Sequence, residues 1–552
     1  MVDAMHDVIL IGAGHNGLVC AAMLAAAGKK VLVLERSAVV GGACITDEIA
    51  PGYRASTASY LISLLLPEVV QELELARHGY KVLARNPSSF TPLLDGPAVP
   101  RSGSGQGNYL LMGPDEALNH REIAKFSARD AAAYPRYEAW LTRIAECIEP
   151  LLSEPPADLL PLPASWRKRS LFARLRELRR SRRLYQALRA MGDELPQAIE
   201  LLTGAARPIL DRWFESDVLK ATLATDAVIG AQQPISAPGT GYVLLHHVMG
   251  TAGGARGVWG YVEGGMGAVT QAMAAAARER RVEIRCNAEV AEILVEGGQA
   301  RGVRLVGGEV LRTKTVISNA TPEVTFRKLL PAGSLPPLFD EAVARIDYAS
   351  ASMKINLAVS ELPDFTALPG KDVVGPQHRG TIHISPTMEY LEAAYDDARR
   401  GLPSTEPILE LTIPTSVDET LAPPGQHIVQ MFVQYAPYKL AEGLNWDALR
   451  EPFADRCIAA VNAYAPNFAA SVLHRQVLTP LDLERRFALT GGNIFHGSMA
   501  LHQLFSMRPV PGWADYRTPL PGLWLCGAGT HPGGGVTGAP GRNCARELLR
   551  TL

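Results

Sequence analysis

Residues 7–35 read DVILIGAGHNGLVCAAMLAAAGKKVLVLE and decide the fold. The segment from Asp7 to Leu10 predicts a short buried strand, and Leu18 to Ala27 predicts a helix that stops at Gly28. A second apolar strand is predicted from Lys30 to Leu34, and it leads directly to Glu35. This order of strand, glycine-rich turn, helix and strand is typical of an α/β fold with a parallel sheet.

The glycines of the turn have the spacing of a dinucleotide-binding loop. Gly12 permits the tight turn, Gly14 lets the backbone approach a pyrophosphate, and Gly17 lets the helix pack close to the strand. The N-terminus of the helix supplies N–H donors and positive potential. Glu35 stands 21 residues after Gly14, where an acid can accept hydrogen bonds from ribose hydroxyls. We therefore predict a Rossmann-type dinucleotide site.

The acid also bears on the kind of nucleotide. Glu35 in place of an arginine favours an unphosphorylated ribose, which is found in NAD and in the adenosine half of FAD. Asn16 in the turn and Arg36 after the acid are predicted to lie at the same site. These residues do not distinguish the two cofactors.

The residues after the acid favour FAD. The chain stays glycine-rich at Gly41, Gly42 and Ala43, continues to Thr46, and turns at residues 51–54, where Arg54 could face the cofactor, an anionic substrate group or a structural ion-pair partner. This stretch resembles the G-G-x-x-x-T continuation of the two-dinucleotide-binding flavoproteins, which include amine oxidases and phytoene desaturases. The resemblance implies FAD, held without a covalent bond.

A second glycine-rich loop follows the apolar strand Leu523 to Cys526. Seven glycines fall in the fifteen residues 527–541, and a helix is predicted to begin near Gly538. Glycines permit close approach of backbone to a ligand, and a helix N-terminus would stabilise negative charge on a reduced flavin. The loop resembles the signature of phytoene desaturase-like flavoproteins. That resemblance places these residues at the cofactor: Gly527, Gly529, Gly535, Val536 and Thr537.

Within that family, the wording Gly-His-Asn-Gly-Leu at residues 14–18 is similar to a branch of bacterial homologues of pyridine nucleotide-disulphide oxidoreductase domain-containing protein 2. Despite that name, the seven cysteines of this chain are scattered and form no C-x-x-C pair. They suggest neither a dithiol redox pair nor a disulfide framework, and no metal site is predicted.

The middle of the chain is assigned mostly by resemblance. A helix predicted from about Ala268 to Arg280 and short strands up to Ser318 resemble the unit that covers the adenine, with Val290 at the position whose backbone meets it. This gives an FAD-binding domain assembled from residues 1–75, 255–330 and 480–552. Residues 76–254 and 331–479 then form an α+β substrate domain.

A basic segment near residues 166–190 has two interpretations. Residues 167–189 contain ten basic side chains and one acid, Glu177, interleaved with leucines. A helix with that pattern could lie on an anionic membrane surface, or it could be a solvated or interface helix that packs its leucine stripe on the core.

Two histidines and two lysines are the candidate catalytic groups. His531 in the second glycine loop and His496 are each as compatible with a structural role as with a catalytic one. Lys354 and Lys328 resemble the flavin-facing lysine of amine oxidases in type only, and a surface position is the better prediction for both.

The net charge and the targeting signals bear on the class of binding partner and on the location of the protein. The net charge of −2 argues against nucleic-acid binding. No signal-like or membrane-spanning stretch is evident, so a cytoplasmic protein is expected, with peripheral contact to the inner face of a membrane left open.

The resemblance implies an FAD-dependent oxidoreductase that removes hydride from a largely apolar small molecule, by desaturation or double-bond isomerisation. One alternative is a flavin amine oxidase that acts on a C–N bond. Another is a membrane-associated flavin-binding interaction protein. The electron acceptor, dioxygen or a quinone, stays open.

Overall fold

A computed structural model describes residues 6–94, 108–158, 171–252 and 254–551. Its strands are β1 (Val8–Ile11), β2 (Val31–Leu34), β3 (Thr46–Ala50), β4 (Tyr53–Ser56), β5 (Val82–Leu83), β6 (Ser89–Pro92), β7 (Tyr109–Met112), β8 (Thr251–Ala252), β9 (Ala255–Arg256), β10 (Tyr261–Val262), β11 (Glu283–Arg285), β12 (Val290–Glu296), β13 (Gln299–Leu305), β14 (Val310–Arg312), β15 (Val316–Ser318), β16 (Ser352–Val359), β17 (Thr381–Ile384), β18 (Ile408–Thr412), β19 (His427–Gln434), β20 (Val472–Leu478) and β21 (Leu523–Leu525).

The α-helices are α1 (His15–Ala26), α2 (Pro67–Glu72), α3 (Glu116–Ala124), α4 (Ala128–Leu152), α5 (Leu171–Ala190), α6 (Leu195–Thr203), α7 (Ala206–Trp213), α8 (Asp217–Ala224), α9 (Thr240–Val248), α10 (Gly267–Glu279), α11 (Pro337–Ala344), α12 (Met388–Arg399), α13 (Trp446–Tyr464), α14 (Phe468–Ser471), α15 (Pro480–Phe487) and α16 (Ala539–Leu549). No helix in these described ranges is long and apolar enough to cross a membrane.

A parallel five-stranded sheet carries the first glycine loop. Its order is β11-β2-β1-β15-β21, so its strands come from three separated stretches of the chain. Strands β1, β2, β15 and β21 are short and mainly apolar because both faces of the sheet are covered, whereas the edge strand β11 is half-buried. Helices α1, α10 and α16 pack on one face, while β12 and β13 contribute to the core on the other. The predicted Rossmann-type α/β fold is confirmed.

The element boundaries differ slightly from those predicted. Helix α1 begins at His15, directly after Gly14, rather than at Leu18. Strand β14 was not predicted, since its three residues carry a weak pattern. It pairs antiparallel with β13. The close approach of the two strands requires Gly302, because a Cβ there would lie 2.1 Å from the carbonyl oxygen of Leu311.

A second sheet of seven strands has the order β20-β16-β19-β18-β17-β6-β7. Its pairs are antiparallel except for β17 with β6, which are parallel. Side chains alternate between its faces. One face is apolar and packs against α13 through Phe453, Cys457 and Val461. The other face carries polar side chains and lies beside a helical cluster built from α4 and α6 to α9.

Helix α5 covers the described part of the basic segment; residues 166–170 of that prediction lie outside the described ranges. An ion pair of 3.0 Å joins Arg180 of this helix to Glu547 of α16. Glu547 is buried and also pairs with Arg550, so two guanidinium groups compensate its charge. The pair fixes α5 against the C-terminal helix of the nucleotide-binding layer.

Candidate active site

One cavity of about 1130 Å³ extends from the first glycine loop to the polar face of the seven-stranded sheet. Its first end is lined by residues that follow β1, β2 and β15, namely Gly12, Glu35 and Asn319. Its second end is lined by side chains of β16 to β19. Ligands of open parallel sheets bind outside the carboxyl ends of the strands, which is where this cavity begins.

The first glycine loop fits a dinucleotide. A Cβ on Gly14 would lie 2.8 Å from Nδ2 of Asn319, and a Cβ on Gly17 would lie 2.3 Å from the carbonyl oxygen of Gly12. No side chain caps α1, so its first N–H groups are available to a phosphate. The buried Oδ1 of Asn16 has no hydrogen-bond partner among the described residues. These features leave backbone and polar groups directed at a bound pyrophosphate.

Glu35 is held rigidly at the same end. One carboxylate oxygen accepts a hydrogen bond from the amide of Ala13 at 2.8 Å, and the other accepts one from the amide of Ser37 at 2.9 Å. Each oxygen has a further lone pair for a ribose hydroxyl. Arg36 also lines the cavity and donates to the carbonyl of Arg486 at 2.6 Å. The predicted ribose-binding position is therefore compatible with its geometry.

Most residues predicted to bind the cofactor line this cavity: Gly12, Gly14, Asn16, Glu35, Arg36, Gly41, Gly42, Ala43, Val290, Gly535 and Val536. Arg54 does not. It lies on β4 between the buried Tyr53 and Ala55, so alternation along the strand turns its side chain outward, where it is exposed. The structure therefore does not bring Arg54 to the site.

Four predicted glycine-loop residues, Gly17, Gly527, Gly529 and Thr537, lie behind the lining rather than in it. A Cβ on Gly527 would lie 2.6 Å from the carbonyl oxygen of Asn319, and one on Gly529 would lie 2.4 Å from Cδ of Pro322. The Thr537 hydroxyl accepts from the amide of Ala539 at the start of α16. These residues permit close packing and cap a helix, so their effect on a ligand is indirect.

Arg508 organises the second glycine loop from behind, and sequence reasoning missed it. Its guanidinium is buried and donates to the carbonyl of Ala528 through Nε at 3.1 Å and Nη2 at 2.8 Å. It also donates to the carbonyls of Phe495, Gly497, Ser498 and Gln503. One side chain thus joins the loop that carries Ala528 to the segment that carries His496.

The two candidate histidines separate. His496 lines the cavity; its Nδ1 is buried without a partner in the described residues, and burial followed by the charge of Arg508 lowers its pKa to about 3. His531 lies outside the lining. Its Nε2 donates to the carbonyl of Leu151 at 3.2 Å, and burial lowers its pKa to about 4. The structure places His496 at the site as a neutral imidazole and does not bring His531 there.

Lys354 is not on the surface, and that prediction is wrong. It is 2% exposed on β16 and lines the cavity, with Nζ 4.5 Å from the ring centre of Tyr60. Nζ has no hydrogen-bond partner among the described residues, and burial holds its pKa well below 10.5. Lys328 is exposed, as predicted, although it contributes to the cavity lining.

A row of side chains crosses the seven-stranded sheet at the second end of the cavity. Lys354 pairs in register with Phe432, Phe432 with Glu410, and Glu410 with His383. All four side chains line the cavity. Sequence reasoning identified only the lysine in this row. The signal that could have found the other residues is a polar side chain at alternate positions of three otherwise apolar strands. Such alternation indicates a sheet with one apolar face and one polar face, and the polar face can line a cavity.

Burial raises the pKa of two carboxyl groups at this end. Burial, followed by repulsion from Glu410, raises the pKa of Asp226 to about 8. Burial also raises the pKa of Glu410, which accepts a hydrogen bond from the Tyr60 hydroxyl at 3.3 Å. Asp226 is therefore mostly protonated at neutral pH, since its pKa lies above 7.

Comparison with known proteins identifies the family. The family model described as "Flavin containing amine oxidoreductase" matches residues 118–549, and that of the "NAD(P)-binding Rossmann-like domain" matches residues 10–71. Pyridine nucleotide-disulfide oxidoreductase domain-containing protein 2 of Rattus norvegicus is 48% identical over 555 residues, covering 99% of this chain and 94% of that protein. A phytoene desaturase of Neurospora crassa is 25% identical, covering 96% of this chain and 82% of that protein.

Among solved structures, cyclohexylamine oxidase of Brevibacterium oxydans has the same fold, with a TM-score of 0.55 at 15% identity and coverage of 99% of both chains. The predicted resemblance and the predicted cofactor, FAD, are confirmed, and the residues of the first glycine loop fit that cofactor. The chain belongs to the flavin containing amine oxidoreductase family and is an FAD-dependent oxidoreductase.

Proposed function

We propose that the protein removes hydride from a C–H bond of a substrate with an apolar body, and so introduces or rearranges a double bond. The observation that carries this proposal is a continuous cavity that joins the dinucleotide loop to a wall formed by Tyr134, Tyr137 and Leu141 of α4. The relative named as a phytoene desaturase supports the reaction class. Substrates vary widely on one fold, so phytoene serves below as an uncharged probe of this reaction class and is not itself the proposed substrate.

FAD supplies the hydride acceptor when it is bound. The chain's own residues bind and orient the substrate and exclude water. Helix α4 buries its apolar stripe in the helical cluster beside the cavity, which keeps the substrate end dry. His496 offers a nitrogen atom in neutral form, because burial lowers its pKa to about 3. Burial also lowers the pKa of Lys354 well below 10.5.

A second candidate function is oxidation of a C–N bond, and one observation favours it. Lys354 is buried, lines the cavity and has no partner for Nζ within the described chain. A free amine of this kind could accept or release a proton during oxidation of an amine. The two candidates therefore differ in what they require of Lys354.

Anaerobic mixing distinguishes the candidates. Purified yellow protein is mixed with phytoene or with cyclohexylamine, and bleaching of the flavin band is followed. Under our proposal phytoene bleaches the flavin in the wild type and at a similar rate in Lys354→Met. If C–N oxidation is the function, cyclohexylamine bleaches it, and Lys354→Met slows that step by about 100-fold.

Lys371 is half-buried and lies outside the cavity, so Lys371→Met provides the matched control by removing the same group there. Flavin content is measured for every variant, so loss of cofactor is not mistaken for loss of reaction. Bleaching by the amine alone would overturn our proposal in favour of C–N oxidation. Persistent yellow colour with both compounds would favour the flavin-binding interaction protein.

A further inference from the structure

The wall of the cavity contains a buried guanidinium without a counter-ion. Arg85 is 3% exposed and lines the cavity. Its Nε donates to the carbonyl of Trp259 at 2.5 Å and its Nη1 to the hydroxyl of Thr381 at 2.8 Å. Both partners are uncharged, and no carboxylate of the described residues forms an ion pair with this side chain. A buried charge normally has a partner, because isolation in low dielectric is costly.

The nearby acids do not fill that role. Asp226 and Glu410 are close enough to interact electrostatically with Arg85, yet burial raises the pKa of both. Asp226 is mostly uncharged at neutral pH, and neither acid forms an ion pair with Arg85 among the described residues. An arginine guanidinium carries a positive charge in proteins. Positive charge is therefore left facing the cavity.

The rest of the cavity wall indicates the shape of a ligand that could pair with Arg85. Tyr134, Tyr137 and Leu141 of α4 and Phe432 of β19 give this end large apolar surfaces. Thr381, which binds Arg85, lies on β17, three strands away from Lys354 on β16. Three strand spacings amount to about 14 Å. A ligand that spans this distance would have an extended apolar body.

We propose that the cavity takes a substrate with a carboxylate at one end, which pairs with Arg85, and an apolar chain that extends from it along α4. A planar guanidinium with fixed donors matches a carboxylate, and the contact would supply the counter-ion that Arg85 lacks. That this ligand is a substrate rests on the proposed function, whereas its binding through the carboxylate does not. Arg85 would then determine specificity through the ligand's charge.

Calorimetric titration of the FAD-loaded protein tests this without any turnover. The probes are decanoate, methyl decanoate and decylamine, which share one chain length and differ in the charge of the head. We expect decanoate to bind at least tenfold more tightly than the ester, since a charge-assisted pair is lost in the ester. Decylamine should bind no better than the ester. Because no reaction is measured, failure of the proposed chemistry would leave this result unaffected.

Variants assign the effect to Arg85. Arg85→Gln should bind decanoate and its ester equally, and Arg85→Lys should restore part of the preference. Arg379→Gln is the matched control, because Arg379 is exposed on a neighbouring segment outside the cavity. Flavin content and melting temperature establish that each variant is folded. Equal affinity of the wild type for acid and ester, or a preference for the amine, would overturn the proposal.

An independent observation concerns the outer face of α5. Three large apolar side chains stand exposed there, Leu175 at 54%, Leu178 at 67% and Tyr185 at 65%. Exposed arginines lie between them on the same side of the helix: Arg174, Arg179, Arg182 and Arg189. None of these four arginines forms an ion pair with a described residue. We call this set of seven side chains the α5 face.

The acidic side chains near α5 pair with arginines on the inner side of the helix. Glu177, the acid of α5, lies 3.7 Å from Arg180, and Arg180 in turn pairs with the buried Glu547. Arg183 pairs with Glu154 at 2.6 Å. Helix α5 is therefore anchored through its inner side, and the α5 face keeps its positive charge.

We infer that the α5 face docks on a membrane surface of anionic lipids. Arginines complement lipid phosphates, while exposed leucines and a tyrosine fit the boundary between headgroups and acyl chains. A nucleic acid would match the charge but would leave the leucines exposed to water.

Sedimentation with vesicles tests this inference. We expect the protein to bind phosphatidylcholine vesicles that contain phosphatidylglycerol, and to bind pure phosphatidylcholine vesicles at least tenfold more weakly. The triple variant Arg174→Gln, Arg179→Gln, Arg182→Gln and the double variant Leu175→Ser, Leu178→Ser should each lose at least tenfold in affinity for the anionic vesicles.

The control variant Arg304→Gln, Arg312→Gln, Arg345→Gln removes the same charge from exposed sites elsewhere and should bind like the wild type. Equal binding to both kinds of vesicle, or unchanged binding by the α5 variants, would overturn the inference. Binding of duplex DNA as tight as that of the anionic vesicles would also overturn it.

Discussion

Arg508→Met is expected to destabilise the protein by about 4 kcal/mol or more and to abolish retention of FAD. The guanidinium donates to the carbonyls of five residues: Phe495, Gly497, Ser498, Gln503 and Ala528. Methionine fills similar space but donates nothing, so these buried carbonyls lose their partner at about 1–3 kcal/mol for each group left unsatisfied. That sum is a large part of a typical folding free energy of about 5–15 kcal/mol.

The loss of FAD follows from where those carbonyls lie. Ala528 lines the cavity at the second glycine loop. His496 also lines it and lies between Phe495 and Gly497, whose carbonyls accept hydrogen bonds from Arg508. Without Arg508 the loop and the His496 segment are no longer joined. Urea unfolding and the flavin-to-protein absorbance ratio measure the two effects separately.

Arg508→Lys separates charge from geometry. A lysine keeps the charge but has one nitrogen, so it cannot reach all five carbonyls, and we expect an intermediate loss of stability. The exposed Arg345 offers a matched control, and Arg345→Met should change neither quantity. A yellow Arg508→Met protein with wild-type unfolding behaviour would show that the loop is held in place by other contacts.

The nucleotide-binding part of the fold was predictable because its signals are local. Gly12, Gly14 and Glu35 lie within one β–α–β unit, and each residue has a role that follows from spacing along the chain. Boundaries moved by only a few residues, as at the start of α1. The second glycine loop was equally predictable, although Gly527 and Gly529 pack against Asn319 and Pro322 and do not line the cavity.

The second end of the cavity was not predictable from the sequence because it depends on strand register. Lys354, Glu410 and His383 meet across strands that are far apart in the chain. Lys354 was expected on the surface since a polar residue alternating with apolar ones usually faces water. Here the polar face of the sheet lies beside a cavity and helices instead. Arg85 carries no motif at all, and its importance appears only from its burial and its neutral partners.

His531 illustrates how the direction of a side chain depends on tertiary structure. It lies in a loop with a strong signature, and the sequence left a structural and a catalytic role equally open for it. The structure turns its ring toward the carbonyl of Leu151 on α4 and the ring of Phe505. A motif specifies the path of the backbone, whereas the direction of one side chain depends on tertiary neighbours that the motif does not contain.

Gly17→Ala is expected to produce a protein that is folded in part but purifies without its yellow colour. The added Cβ would lie 2.3 Å from the carbonyl oxygen of Gly12 and 3.0 Å from Cδ2 of Leu10. The first of these atoms is backbone in the turn itself, so it cannot move aside as a flexible side chain could. Helix α1 must shift away from β1, and its N-terminus then no longer points its N–H groups at the pyrophosphate.

We expect FAD affinity to fall by at least about 100-fold, since one charged phosphate contact is worth about 1.5–3 kcal/mol and more than one is lost. Overpacking should cost about 1–3 kcal/mol of stability in addition. The flavin-to-protein absorbance ratio after purification, and titration of the stripped protein with FAD, measure the affinity. Gly307→Ala is the control, because a Cβ there meets nothing within 4 Å and the backbone conformation suits any residue.

Denaturation of the wild type extends the same experiment to the mode of attachment. If FAD is held by the loop contacts alone, the unfolded wild type releases all of its flavin, and filtration separates the colour from the chain. Colour that stays with the denatured chain would mean a covalent bond. A Gly17→Ala protein that keeps the wild-type ratio of flavin to protein, and releases it on unfolding, would contradict the role assigned to close packing of α1 on β1.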